Sequence, residues 1–189
     1  MSRLIRLTAT VLSVATLAGA AVALAAATKS TSADKVARGK YLVTVTGCND
    51  CHTPGTFYGA PDMKRFLAGS EMGWAGPWGT VYAANLTSDS ETGLGKWSEA
   101  EIAATIRTGN RPDGRQLAPV MPWMNFASLT DADAFAIAAY LKTLPPVKHA
   151  VPAPVGPGET PKGPVLVFPP PSAWDAPAAP PAGHSSSTR

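Results

Sequence analysis

Cys48-Asn49-Asp50-Cys51-His52 is the stretch that decides how this chain of 189 residues is read. It has the form Cys-x-x-Cys-His and uses both of the chain's cysteines. On a helical turn this spacing sets the two sulfurs along a common edge, with the imidazole beside them. That is the pattern of covalent haem attachment: both thiols add to haem vinyl groups, and the adjacent histidine ligates the iron. Other uses of these residue types account for less. A thioredoxin-like redox pair needs a βαβ context, and none is visible. A structural zinc ion needs four protein ligands, and the two other histidines, His149 and His184, sit in a Pro-rich tail. A disulfide would close a very small ring. One covalent haem c on Cys48, Cys51 and His52 is the cofactor expected.

The chain opens with Arg3 and Arg6, then runs uncharged from Leu7 to Ala27. Ala23-Leu24-Ala25 closes the run with small residues. A positive start, an apolar middle and a small-residue exit form a secretory signal, assigned to residues 1–25. The alternative is a retained anchor in the inner membrane, because about 20 apolar residues can cross a bilayer. Thr8, Thr10, Ser13 and Thr16 make the run only moderately apolar. Both outcomes put the rest of the chain in the periplasm, the side on which bacteria are expected to attach haem covalently.

Residues 26–144 hold eleven basic and eleven acidic side chains, so the net charge of +3 comes from the two ends. No basic run survives, which excludes nucleic acid as the expected partner. The length suits one small domain, placed at 33–147. A domain of this size buries a limited core, and a prosthetic group would extend it. From Pro145 onward come thirteen of the nineteen prolines. Proline lacks an N–H and fixes φ, so regular elements are not expected there. Pro161 to Phe168 is apolar enough to lie extended along the domain. The tail as a whole, 148–189, is expected to be partly disordered, with a Pro/Ala/Ser spacer beyond Pro169.

Three helices are expected inside the domain. Ala33 to Thr46 is amphipathic, with Val36, Tyr41, Leu42, Val43 and Val45 apolar, and Gly47 ends it. Ser98 with Glu101 forms a capping box for a helix that runs to Thr108 and stops at Gly109. Thr130 with Asp133 caps a helix from Asp131 to Leu144, in which Phe135, Ile137, Ala138 and Leu141 recur at helical spacing. Thr53 to Gly79, rich in Gly and Pro, reads as an irregular loop. Long loops between few helices make sense around a large prosthetic group.

Several pieces resemble class I cytochrome c domains, in particular those in cytochrome subunits of membrane-associated alcohol and aldehyde dehydrogenases. They are Arg38-Gly39-Lys40-Tyr41-Leu42, the haem motif with Gly47 and Thr53, and Asn85-Leu86-Thr87-Ser88-Asp89. Thr92 to Ser98, Met121-Pro122-Trp123 and Ile137 to Pro146 follow. The resemblance implies an all-α class I cytochrome c fold, three or more helices with long loops wrapped around one covalent haem. It implies a Gly39–Tyr140 contact between the first and last helices, and Pro54 as the group orienting the Nδ1–H of His52. It also places the sixth iron ligand in the loop before the last helix, where Met121 and Met124 both lie. Met121, between Pro119 and Pro122, is the better candidate, because the prolines stiffen its backbone. Met124 is then an adaptable core filler, and Met63 is exposed in a charged stretch. Trp97, Arg107 and Arg115 are candidate donors to the haem propionates by residue type. Those subunits often carry three haem domains, and this chain has one haem motif.

The function expected is electron transport in a respiratory chain by a carrier that is not itself an enzyme. Its redox partners would be a dehydrogenase on one side and an oxidase or membrane cytochrome on the other. Two other readings stay open at this level: a haem enzyme or gas sensor with an open sixth site, and an interaction protein whose Pro-rich tail docks a partner.

Overall fold

The computed structural model describes residues 31–170. Residues 1–25, expected to be a secretory signal, and the end of the tail lie outside the described residues. The chain divides into a unit Met1–Lys35 and a unit Val36–Arg189. Of the first, only 31–35 are described. There Thr31 and Asp34 bond reciprocally, the Thr31 backbone N–H donating to Asp34 Oδ2 at 3.0 Å and the Asp34 N–H to Thr31 Oγ1 at 3.1 Å.

Five α-helices occur among the described residues: α1 (Ser32–Val45), α2 (Cys48–His52), α3 (Glu99–Thr108), α4 (Trp123–Phe126) and α5 (Asp131–Thr143). Two short 3₁₀ turns, Thr56–Tyr58 and Met63–Arg65, follow α2. Local chemistry sets the helix ends. Ser98 Oγ accepts from the Glu101 N–H while the Glu101 carboxylate accepts from the Ser98 N–H, closing the capping box. Gly109, at φ 73°, ends α3 in the left-handed conformation. Thr130 accepts from the Asp133 N–H at the start of α5.

The apolar core gathers Leu42 and Val43 from α1, Ile102 and Ala103 from α3, and Ala134, Ile137, Ala138 and Leu141 from α5, with Leu67 and Leu94 from the loops. Gly39 lets α1 and α5 touch: a Cβ built there would lie 1.9 Å from the Ala136 carbonyl oxygen and 2.8 Å from Tyr140 Cβ. Arg38 adds an ion pair to Asp133 at 2.8 Å. Lys142 of α5 donates to the carbonyls of Leu94, Gly95 and Trp97 at 2.8–3.2 Å, tying the loop before α3 to the last helix. Phe135, expected in the core, is instead partly exposed beside the α3 alanines. Tyr41 and Val45 are also exposed.

The fold is mostly helical, and the all-α expectation needs correction. Strands β1 (Gly73–Gly76), β2 (Gly79–Tyr82) and β3 (Val165–Val167) form a sheet in the order β2-β1-β3. The β1–β2 pair is an antiparallel hairpin turned by Pro77-Trp78, with Gly76 opposite Gly79. The β1–β3 pair is parallel, with Gly73 opposite Val165 and Ala75 opposite Val167. The prolines of the tail flank β3 without interrupting it. Pro164 contributes only its carbonyl, which accepts from the Gly73 N–H at 2.9 Å, and the Phe168 N–H reaches Ala75 O at 2.8 Å. A regular element thus forms in a region where proline content argued against one.

Candidate haem site

The site begins where α1 stops. Gly47 sits at φ 69°, a left-handed conformation that costs glycine little, and it turns the chain into α2. That helix consists of the five motif residues alone. Cys48 and Cys51, three apart, fall on one face. Both are free thiols and half-buried. Burial pushes the Cys48 thiol up, and burial with the Asp50 charge beside it pushes Cys51 up to about 11. Both sulfurs are therefore thiols, not thiolates, at neutral pH.

His52 is buried, and burial lowers its pKa, so its imidazole is neutral. Its Nδ1 lies 2.7 Å from the carbonyl oxygen of Ala84. A carbonyl only accepts, so Nδ1 carries the hydrogen and the lone pair resides on Nε2. That is the tautomer a metal-ligating histidine needs. The sequence expectation of Pro54 in this role is corrected: the Pro54 carbonyl accepts instead from the Asp62 N–H at 2.9 Å.

Ala84 is positioned by two runs of chain lying side by side. Ser70 N–H donates to Ala83 O at 3.0 Å, and Leu86 N–H to Leu67 O at 2.9 Å. The same run returns to the motif, with Gly69 N–H donating to His52 O at 2.8 Å. Thr53 Oγ1 accepts from Leu67 N–H at 2.9 Å and donates to Asn49 Oδ1 at 2.8 Å.

Met121 is half-buried in the loop before α5, where its N–H donates to Ala118 O at 3.0 Å and its carbonyl accepts from Trp123 N–H at 2.7 Å. Met124 is 55% exposed, which removes it from the core position expected for it, and Met63 is exposed as expected. Arg107 pairs with Asp131, and Arg115 stands 3.8 Å from Asp113. Trp97 packs on the core, with the Arg111 guanidinium 4.9 Å from its ring centre.

Trp123 carries a signal that sequence reasoning missed. Its indole covers Gly109, where a Cβ would come within 2.7 Å of the ring. Its Nε1–H is buried and has no acceptor among the described residues. An orphaned buried donor costs about 1–3 kcal/mol. An acceptor carried by a bound group would satisfy it. The hint in the sequence was a tryptophan two residues after the candidate methionine.

These observations fit a covalently held haem: two neutral thiols on one turn, a neutral histidine presenting Nε2, a thioether in a proline-stiffened loop and, two residues further along, an unsatisfied indole donor. Cys48 and Trp97 both pack against the margin of the apolar core, as a large apolar ring system would require.

Comparison with known proteins agrees. The chain is 37% identical to a component of the nicotinate dehydrogenase of Pseudomonas putida over 66% of its length and 10% of that protein's. It is 34% identical to the fructose dehydrogenase cytochrome subunit of Gluconobacter japonicus over 57% of its length and 21% of that protein's. It shows the same identity to the alcohol dehydrogenase (quinone) cytochrome c subunit of Gluconobacter oxydans, over 56% and 20%. The match thus spans about a tenth to a fifth of these relatives. The family model described as cytochrome c matches residues 36–145, from α1 through the haem motif and the Met121 loop to the end of α5. This chain belongs to the cytochrome c family, whose members carry covalently bound haem c.

Proposed function

We propose that this chain is an electron carrier of the periplasm. Cys48 and Cys51 would hold one haem covalently, and His52 and Met121 would ligate its iron. It takes electrons from an exported dehydrogenase and delivers them towards a respiratory acceptor, an oxidase or membrane cytochrome. The observation that carries this reading is the neutral, buried His52 on the same five-residue helix as two neutral thiols, its Nδ1–H fixed by Ala84 at 2.7 Å. When bound, the haem supplies a one-electron ferric/ferrous couple.

The chain's residues hold and shelter that couple. His52 keeps one tautomer, so its Nε2 lone pair stays available to iron. Met121 offers a weak, neutral thioether, which favours a raised potential. Pro119 and Pro122 reduce the entropy lost in fixing it. Trp123 Nε1–H joins Trp97, Arg107 and Arg115 as a donor for the propionates; the two arginines would exchange a carboxylate partner to serve. The names of the relatives as dehydrogenase and cytochrome subunits support the dehydrogenase partner. Either fate of residues 1–25, cleavage or membrane anchoring, leaves the carrier in the periplasm.

Carbon monoxide tests the class of function. A carrier with both axial positions filled should bind it poorly in the ferrous state at neutral pH. Rapid binding by the intact protein would overturn the carrier reading in favour of a haem enzyme or gas sensor.

A further inference from the structure

The residue beside the histidine's hydrogen-bond acceptor is gripped by the segment that follows the last helix. Asn85 adjoins Ala84 and is 2% exposed. Its Nδ2 donates to Val147 O at 2.7 Å and to Thr92 Oγ1 at 3.0 Å. Its Oδ1 accepts from the Thr87 N–H at 2.9 Å and from Thr87 Oγ1 at 2.7 Å. Both ends of the amide are therefore saturated, and one end holds the chain beyond α5.

The same segment grips the other run that supports Ala84. His149 donates Nδ1–H to Ala68 O at 2.7 Å, and its backbone N–H donates to Thr92 Oγ1 at 3.0 Å. Val151 lies so close to Gly69 that a Cβ there would come within 2.5 Å of Val151 Cγ1. Further on, Val155 exchanges two backbone bonds with Thr80, each 3.0 Å. The segment finally enters the sheet as β3, where Phe168 stacks against Trp74 with ring centres 6.1 Å apart.

We infer that Val147–Phe168 is a strap that positions the axial histidine, and that Asn85 is the positioning residue that connects the strap to His52 through the Ala84 carbonyl. This inference rests on the haem reading above. The physical basis is the strength of the Nδ1–H bond. A carbonyl held rigidly in line keeps that proton bound and the ring oriented, and such outer contacts tune the metal they face. A carbonyl free to swing releases both. Buried backbone with saturated partners resists swinging, because each broken bond leaves a desolvated group behind. A spacer for docking partners needs no such contacts, whereas the strap spends its bonds on the two runs beside His52.

The test uses the full-length, haem-matured protein and three variants. Truncation after Leu144 removes the strap. Asn85→Asp keeps the acceptor for Thr87 and replaces the donor to Val147 with an oxygen that repels the carbonyl. Leu166→Ser weakens β3, at the far end of the strap. The readouts are solvent exchange of the His52 Nδ1–H by nitrogen-15 NMR, the midpoint potential and the thermal midpoint. Truncation and Asn85→Asp should each speed exchange about tenfold, the factor corresponding to one lost net hydrogen bond, and each should move the potential. Leu166→Ser should lower the thermal midpoint and leave exchange and potential at their wild-type values. Unchanged exchange in either of the first two variants, with haem attached, would overturn the strap's role and leave the haem reading intact. A wild-type protein without covalent haem would overturn the haem reading, and the inference with it.

Discussion

His52 concentrates the physics of the site, because burial and one hydrogen bond fix its charge and its tautomer together. Burial holds its pKa below the ordinary 6.5, against the upward pull of the Ala84 bond. The folded chain therefore resists a proton that the unfolded chain accepts. The resulting stability is complete above pH 6.5 and is lost as pH falls through and below that value. Thermal unfolding of the haem-free chain should show this loss between pH 7 and 5, and His52→Asn should flatten the slope over that window. The proposed sixth ligand, Met121, is tested at the same scale. Met121→Ala should abolish the weak sulfur-to-iron band at the red end of the ferric spectrum, and Met124→Leu should leave it. The reverse pattern would transfer the ligand to Met124. The haem motif was legible because its three side chains are local in sequence. The acceptor for His52 was not, because Ala84 lies 32 residues downstream and acts through its backbone, which has no residue signature.

Elements with local signals were legible and elements made by distant pairing were not. The helices α3 and α5 could be read because Ser98 and Glu101, and Thr130 and Asp133, place donor and acceptor three residues apart. The sheet was hidden. Strand β1 is glycine-rich and has little intrinsic strand preference, and its partner β3 lies far along the chain among prolines. Helix α5 shows a subtler miss, since alternating alanines left open which face is buried, and Phe135 turned outward while Ala134 turned in. Packing between elements gives a sharp test at Gly39. In Gly39→Ala the new methyl would meet the Ala136 carbonyl, so α1 and α5 must separate. The variant should lose about 2–3 kcal/mol in urea unfolding, in the range of overpacked cores. Ser98→Ala should lose about 1 kcal/mol, the worth of one cap.

At the scale of the whole molecule, the helical core, the haem turn and the strap act on one another. The tail adds a sheet edge and covers Trp74 and Trp78 with Phe168. Truncation after Leu144 should therefore lower the thermal midpoint by about 10 °C, as several buried hydrogen bonds and an aromatic cluster are lost. A tail that served only as a docking spacer would leave the midpoint unchanged. The proposed carrier role, with His52 and Met121 as iron ligands, depends on one haem bound covalently to α2. Acid–acetone extraction of protein matured in a periplasm, followed by intact-mass measurement of the polypeptide, tests that claim most directly. The account predicts that one haem mass stays on the chain and that Cys48→Ala with Cys51→Ala removes it. Haem recovered in the organic phase from the wild-type protein would contradict it.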